Sequence, residues 1–392
     1  MPDDPTEPSA LPELPVRPLA ELRQRRSVKW HSYPDDVLPL TVAEMDFDLA
    51  PAISATLAEA VRRSDTGYAM PVPELGQALA GFAAQRWGWQ LDPAAVVATP
   101  DVGVGVVELL RLLTRPGDQV LFSPPVYPPF YHWPAEAGAR LREVPLARDE
   151  AGWRLDLPAL ERAFADGATV YLLCNPHNPV GRAHEPDELA ALVELARAHR
   201  VTIVSDEIHA PLVLPGARFT PLLSVPGAAE LAVSLLSASK AWNLAGLKCA
   251  AIVSGSARMA AVLDRLPPDA HWRIGHLGVL ATVAGLTDGV DWLDRLLITL
   301  DRRRTQLAGL LEQRLPAVRW QPPQATFLGW LDCSALGPGD TARDRFLAGR
   351  VAVEPGLNFG SVGVGHVRLN FATSAELLDE AVARMAAASS GA

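Results

Sequence analysis

Apolar residues recur at helical spacing in AISATLAEAVRRS (52–64) and again in PELGQALAGFAAQRWG (73–88), which ends on a glycine suited to a helix C-cap. From about Val96 the period changes. Short uninterrupted apolar runs of strand length alternate with longer helical ones: VVAT then VGVVELLRLLT, QVLFS, VYLLC then DELAALVELARAHR, VTIVSD, AVSLLSAS and AAIVSG, as far as Val253. Strands separated by helices predict a mostly parallel sheet covered on both faces. From about Leu293 a long helical stretch, LDRLLITLDRRRTQLAGLLEQRL, gives way to ATFLGWLDCS, a further helix, VAVEPG and HVRLNFAT, the make-up of a second, α+β unit. The predicted organisation is a loose arm over residues 1–26, where six prolines fall in the first 18 positions, then 27–50 as the first part of a small domain, 51–290 as a large domain and 291–392 as the C-terminal small domain. No internal repeat of fixed period is apparent.

A chain of 392 residues is longer than a single hydrophobic core supports, which agrees with two domains. Hydrophobic residues at 49% and charged residues at 20% are those of a folded globular protein. The formal net charge of -10 argues against a general nucleic-acid or anionic-membrane surface, so an anionic ligand would need a local positive site. Cys174, Cys249 and Cys333 lie far apart and suggest neither a disulfide framework nor a metal site. The acidic, proline-rich start is unlike a signal peptide and no apolar run reaches membrane-spanning length, so cytoplasmic residence and no membrane partner are expected.

In open α/β sheets, ligands bind beyond the carboxyl ends of the strands. Several apolar runs here end in reactive polar residues. AVSLLS runs into Ser237-Ala238-Ser239-Lys240, which places an amine and two hydroxyls at a strand end, where the amine can reach a carbonyl cofactor and the serines its phosphate. Taken alone, such a lysine is ordinarily a solvated loop residue. VTIVS ends at Asp206 in DEIHA, a carboxylate able to hold a protonated pyridine nitrogen, although a helix-capping aspartate looks the same. TVYLLC ends in NPHNPVG (175–181), whose amides can donate to a ring oxygen. TPDVGVGVVELL puts Val102 and Gly103 at the start of a helix, where free amides and the macrodipole favour phosphate. Tyr127 in SPPVYPPFY can stack on a planar ring or simply pack in the core. Arg368 in HVRLNFAT is a charge in an apolar strand and calls for an anion, naturally a substrate carboxylate.

NPHNPVG, DEIHA, SASK and VRLNFA, in this order, resemble the fold-type I pyridoxal 5′-phosphate (PLP) enzymes of the aspartate aminotransferase superfamily, from about residue 27 to 385. The resemblance implies a large, mostly parallel seven-stranded sheet domain covered by helices and a smaller α+β domain formed by the chain ends. It implies that Lys240 carries the cofactor as a Schiff base, that Asn178 and Asp206 contact the ring, and that His209 lies near its phenolic oxygen. Ser237, Ser239 and Lys248 match phosphate-binding positions. Tyr68, in TGYAMP, matches a tyrosine that reaches the phosphate of a neighbouring subunit, so a homodimer with composite sites is implied. Arg368 and Asn178 match substrate-binding positions.

SVKW, LTVAEMDF, TGY, SPPVYPPFY, LLCNPHNPVGR, SDEIHAPL, SASKAWNLAGLK and PGLNFG are most similar to the MalY/PatB group of cystathionine β-lyases and cysteine C–S lyases. Two positions depart from that pattern: Glu44 stands where aspartate is common, and His31 where an acidic residue is usual. The implied activity is β-elimination from L-cystathionine or another L-cysteine S-conjugate, giving a thiol, pyruvate and ammonia, with Lys240 as the base. An aminotransferase or a specialised biosynthetic PLP enzyme is the neighbouring expectation. A protein that retains PLP without turnover is disfavoured by the intact Lys240, Asp206 and Arg368, and a nucleotide-binding protein by the lack of a glycine-rich phosphate loop.

Overall fold

The computed structural model describes residues 12–69, 71–149 and 152–390. Its centre is a seven-stranded sheet in the order Val96–Thr99, Ala250–Ser254, Ala232–Leu236, Thr202–Asp206, Ala168–Cys174, Gln119–Phe122 and Arg140–Glu143. Every neighbouring pair is parallel except those of Ala250–Ser254, which runs against both its neighbours. The apolar runs form strands because they are buried on both faces, and side chains of alternate residues sort to opposite sides. Val170, Leu172, Cys174, Val204, Val233 and Leu235 pack in one cluster with Val106, Leu109 and Leu110 of the helix Val102–Leu113. Tyr171, Leu173 and Ile203 pack in a second with Leu189, Leu192 and Val193 of the helix Pro186–His199. Gly105 lets the first helix approach closely: a Cβ there would lie 2.7 Å from Leu235 Cδ2.

A smaller antiparallel sheet has the order Arg319–Trp320, Leu328–Asp332, His366–Asn370, Glu354–Pro355. The helix Ala375–Ser390 follows it, and the long helix Val290–Arg314 precedes it. The N-terminal segment joins the same region, since Leu38–Pro39 pairs in parallel with Val351–Ala352. Of the loose arm expected over 1–26, residues 1–11 lie outside the described residues. Residues 12–26 are packed against the body: Leu14 N donates to Thr299 Oγ1 at 3.0 Å, Val16 bridges to Phe47, and Leu22 is fully buried. Proline-rich chain can pack in extended form without ladder bonds, which the proline count alone does not reveal.

Among the described residues no helix is long and apolar enough to cross a membrane, and no group of three metal-ligating side chains comes together.

Candidate active site

The strand directions decide where the chemistry gathers. Parallel strands bring Thr99, Phe122, Cys174, Asp206 and Leu236 to one edge of the sheet, and the reversed strand Ala250–Ser254 begins at that same edge. Loops leaving this edge enclose a cleft of about 910 Å³, counted out to its open mouth. Val102, Gly103, Tyr127, Asn178, Asp206, His209, Ser237, Ser239, Lys240 and Lys248 all line it. Of the cofactor- and substrate-binding residues expected from the sequence, Arg368 and Tyr68 do not line it.

The two ends of the cleft differ in charge. At one end Asp206 is buried, and its Oδ1 accepts from Ile208 N at 3.1 Å. Burial raises its carboxyl to about 6, against the opposing pull of the Ile208 amide and the Lys240 charge. At the other end are hydroxyls, free amides and a cation. The helix Val102–Leu113 begins there, capped by Asp101, whose Oδ1 accepts from Val104 N at 2.8 Å. Asp101 Oδ2 holds Lys248 Nζ at 3.0 Å. Ser237 Oγ donates to Cys249 O at 2.8 Å and accepts from Ser239 N at 3.1 Å. Gly103 keeps the wall open, since a Cβ would stand 3.2 Å from Trp133 Nε1.

Lys240 lines the same cleft, within electrostatic reach of both Asp206 and Lys248. The whole chain has three lysines. Lys29 is buried and ion-paired with Asp46 at 2.8 Å, and Lys248 is half-exposed and paired with Asp101. Among the described residues Lys240 alone of the three has no carboxylate partner within ion-pair distance; its Nζ donates to Ala43 O at 3.2 Å. Burial lowers its amine to about 8, helped by the Arg368 charge and opposed by Glu44 and Asp206. Part of it is therefore the neutral, nucleophilic form near neutral pH.

Arg368 stands behind the cleft, buried, with Nη1 donating to Asn178 Oδ1 at 3.3 Å and Nη2 to Thr41 O at 2.8 Å. Its guanidinium lies 5.0 Å from the Phe359 ring centroid, and its Nε is buried without a partner. Nδ1 of the buried His209 is likewise unpartnered. Burial, then the Lys240 charge, lowers His209 to about 3, so its ring is neutral. Tyr68 is far more exposed, at 81%, and lies edge-on to Trp272 with ring centroids 5.6 Å apart.

The donor set fits PLP. A buried carboxylate at one end suits a protonated ring nitrogen, helix amides, hydroxyls and Lys248 at the other suit a phosphate, and an amine in the same cleft suits the aldehyde carbon.

Sequence reasoning passed over a layer beneath these residues. The carbonyls of residues 41–46 all accept from side chains: Thr41 from Arg368, Val42 from Asn370, Ala43 from Lys240, Glu44 from Lys29 and Asn370, Met45 from Asn243 and Arg25, and Asp46 from Arg25. The Lys29–Asp46 pair is additionally tied by Trp30 Nε1, which donates to Asp46 Oδ1 at 2.9 Å. The signal was present as SVKW and LTVAEMDF, motifs rich in residues that cost free energy to bury unless paired.

The family model for aminotransferase class I and II matches residues 35–385. The chain belongs to that family. A Mycobacterium leprae (strain TN) protein that carries the cystathionine beta-lyase name provisionally is 47% identical, over 94% of this chain and 96% of its own. Cystathionine beta-lyase PatB of Bacillus subtilis (strain 168) is 35% identical, over 93% and 96%. A solved structure from Corynebacterium diphtheriae, provisionally described as a PLP-dependent beta-cystathionase, superposes with a TM-score of 0.91 at 35% identity and covers 96% of this chain and 99% of its own.

Proposed function

We propose that this family member is a PLP-dependent carbon–sulfur β-lyase that converts L-cystathionine or a related L-cysteine S-conjugate, with one water, into a thiol, pyruvate and ammonia. The observation that carries the reading is Lys240: a buried amine with no carboxylate partner among the described residues, in one cleft with Asp206, Ser237, Ser239 and Lys248, in a chain related along nearly its whole length to named cystathionine β-lyases.

PLP, when bound, supplies the carbonyl that condenses with the substrate amine and the ring that takes up the charge left at Cα. The protein's own residues do the rest. Asp206, ionised above about pH 6, would hold the ring N–H and keep its positive charge in place. The helix amides of Val102 and Gly103, with Ser237, Ser239 and Lys248, would hold the phosphate, and Tyr127, Asn178 and His209, which line the same cleft, would contact the ring. Arg368, already bonded to Asn178, offers its unpartnered Nε edge to the substrate carboxylate. The Lys240 amine, lowered to about 8, would take the Cα proton. The Cβ–S electron pair leaves with sulfur, which is protonated and departs as the thiol. Tyr68, exposed on its own chain, serves the cleft of a second copy in a homodimer.

The test is a panel of L-cystathionine, L-cystine and S-alkyl cysteines. Pyruvate appearing without any 2-oxo-acid acceptor is the expected outcome, whereas strict dependence on 2-oxoglutarate would make the protein a transaminase instead.

A further inference from the structure

We infer that Asn370 is a positioning residue for Lys240: by holding the carbonyls on either side of Ala43, it fixes the Ala43 carbonyl that receives the free Lys240 amine. The inference rests on Lys240 being the residue that carries the proton, and extends the proposed function to a residue outside the cleft.

The geometry begins with strand alternation. Arg368 and Asn370 are two apart in the strand His366–Asn370, so both side chains project from the same face. That face meets residues 41–46. Arg368 Nη2 takes Thr41 O, while Asn370 Nδ2 donates to both Val42 O and Glu44 O at 2.7 Å. The Asn370 amide cannot turn freely, because its Oδ1 accepts from Ala372 N at 2.8 Å and the residue is fully buried. One side chain thus grips the peptides before and after Ala43, and the carbonyl between them is the acceptor of Lys240 Nζ at 3.2 Å. From the other side Asn243, three residues beyond Lys240, accepts from Met45 N at 2.9 Å and donates to Met45 O at 3.0 Å. The lysine segment and the arginine strand therefore meet through this short piece of backbone.

Asn370 bears no charge, lies outside the cleft lining, and has its amide committed to Val42 O, Glu44 O and Ala372 N. Its effect passes through the direction of one carbonyl. A carbonyl aimed at an ammonium favours the charged form and holds the nitrogen in one place, which matters when a proton must pass between Lys240 and Cα.

The test reads the lysine directly. Apoprotein of full length is labelled with an amine-reactive reagent across a pH series, and the Lys240 peptide is followed by mass spectrometry; with three lysines in the chain the assignment is unambiguous. The charges facing Lys240, namely Arg368, Lys248, Glu44 and Asp206, and the neutral His209 ring remain in every variant. Asn370→Ala should lower the labelling midpoint by about 0.5–1 pH unit, because the ammonium loses a fixed acceptor. In the holoenzyme kcat should fall about tenfold or more while KM stays within about threefold, as expected of lost orientation rather than lost binding. Should Asn370→Ala not fold, Asn370→Ser, whose hydroxyl can serve one of the two carbonyls, should move the midpoint the same way by less. A folded variant with an unchanged or raised midpoint overturns the inference. A lowered midpoint in a protein that releases pyruvate from no cysteine conjugate leaves the positioning role standing and removes the lyase reading.

Discussion

Arg368 and Asn178 are hydrogen-bonded at 3.3 Å, although 190 positions separate them in the chain. One comes from the small antiparallel sheet, the other from the loop after the strand Ala168–Cys174. The contact sets the guanidinium against the wall of the cleft, and it gives the first prediction. Arg368→Lys should raise the substrate KM by about tenfold or more, since an ammonium cannot reproduce a two-pronged grip on a carboxylate while also reaching Asn178 and Thr41. Cofactor content should stay at the wild-type level. Steady-state kinetics beside a PLP assay check both; lost cofactor with an unchanged KM would make Arg368 a structural residue.

Asp206→Ala should weaken PLP retention and slow loss of the Cα proton by orders of magnitude, because it removes the carboxylate proposed to hold the ring nitrogen. Cα-deuterium exchange measured at saturating PLP separates the two effects. Exchange at the wild-type rate would contradict the assignment.

Glu207, next along the chain, points to the other side of the sheet, as alternation requires. It is fully buried, with Oε1 accepting from Leu222 N at 2.9 Å and Ser205 Oγ at 3.0 Å, and burial raises it to about 8. The folded form thus holds a proton that the unfolded chain gives up near pH 4.5, so its stabilising effect is complete below that pH and is lost as pH rises towards 8. Glu207→Gln, which keeps the acceptor and cannot ionise, should flatten the decline of apoprotein Tm between pH 5 and 8 and raise Tm by a few degrees at pH 8. Parallel Tm–pH curves for the two proteins would show that Glu207 is already ionised in the fold.

Tyr68 carries the expectation about assembly. If each cleft draws Tyr68 from one copy and Lys240 from the other, mixing inactive Tyr68→Phe and Lys240→Ala subunits yields heterodimers in which one site carries both lesions and the other neither. Activity should partly return. Heterodimers that demonstrably form without recovering activity would place Tyr68 in the service of its own chain.

Much of the sheet was legible because buried parallel strands are written as short apolar runs, and the polar residue that ends each run must lie at the sheet edge. Asp206, Lys240 and the 175–181 loop were found in this way. The reversal of Ala250–Ser254 was not legible, since an apolar run reads the same in either direction. Nor was the bracket around residues 41–46: its acceptors are backbone carbonyls, which every residue carries, and its donors come from three separate stretches of chain, 25–29, 240–243 and 368–370. Lys29 and Asp46 sit in motifs that the resemblance quoted, but only the fold reveals that each neutralises the other in a buried place. The packing of 12–26 depends on tertiary contacts such as Leu14 with Thr299, which local composition does not encode.

The central claim is that Lys240 is the residue through which this protein holds its cofactor and moves the proton. Borohydride reduction of the PLP-loaded enzyme, followed by peptide mass mapping, tests it most directly, because only three lysines compete for the label. The pyridoxyl mass should be found on the peptide containing Lys240, with Lys29 and Lys248 unmodified. Label on Lys248 or Lys29, or none on a protein that still turns over substrate, would contradict the account.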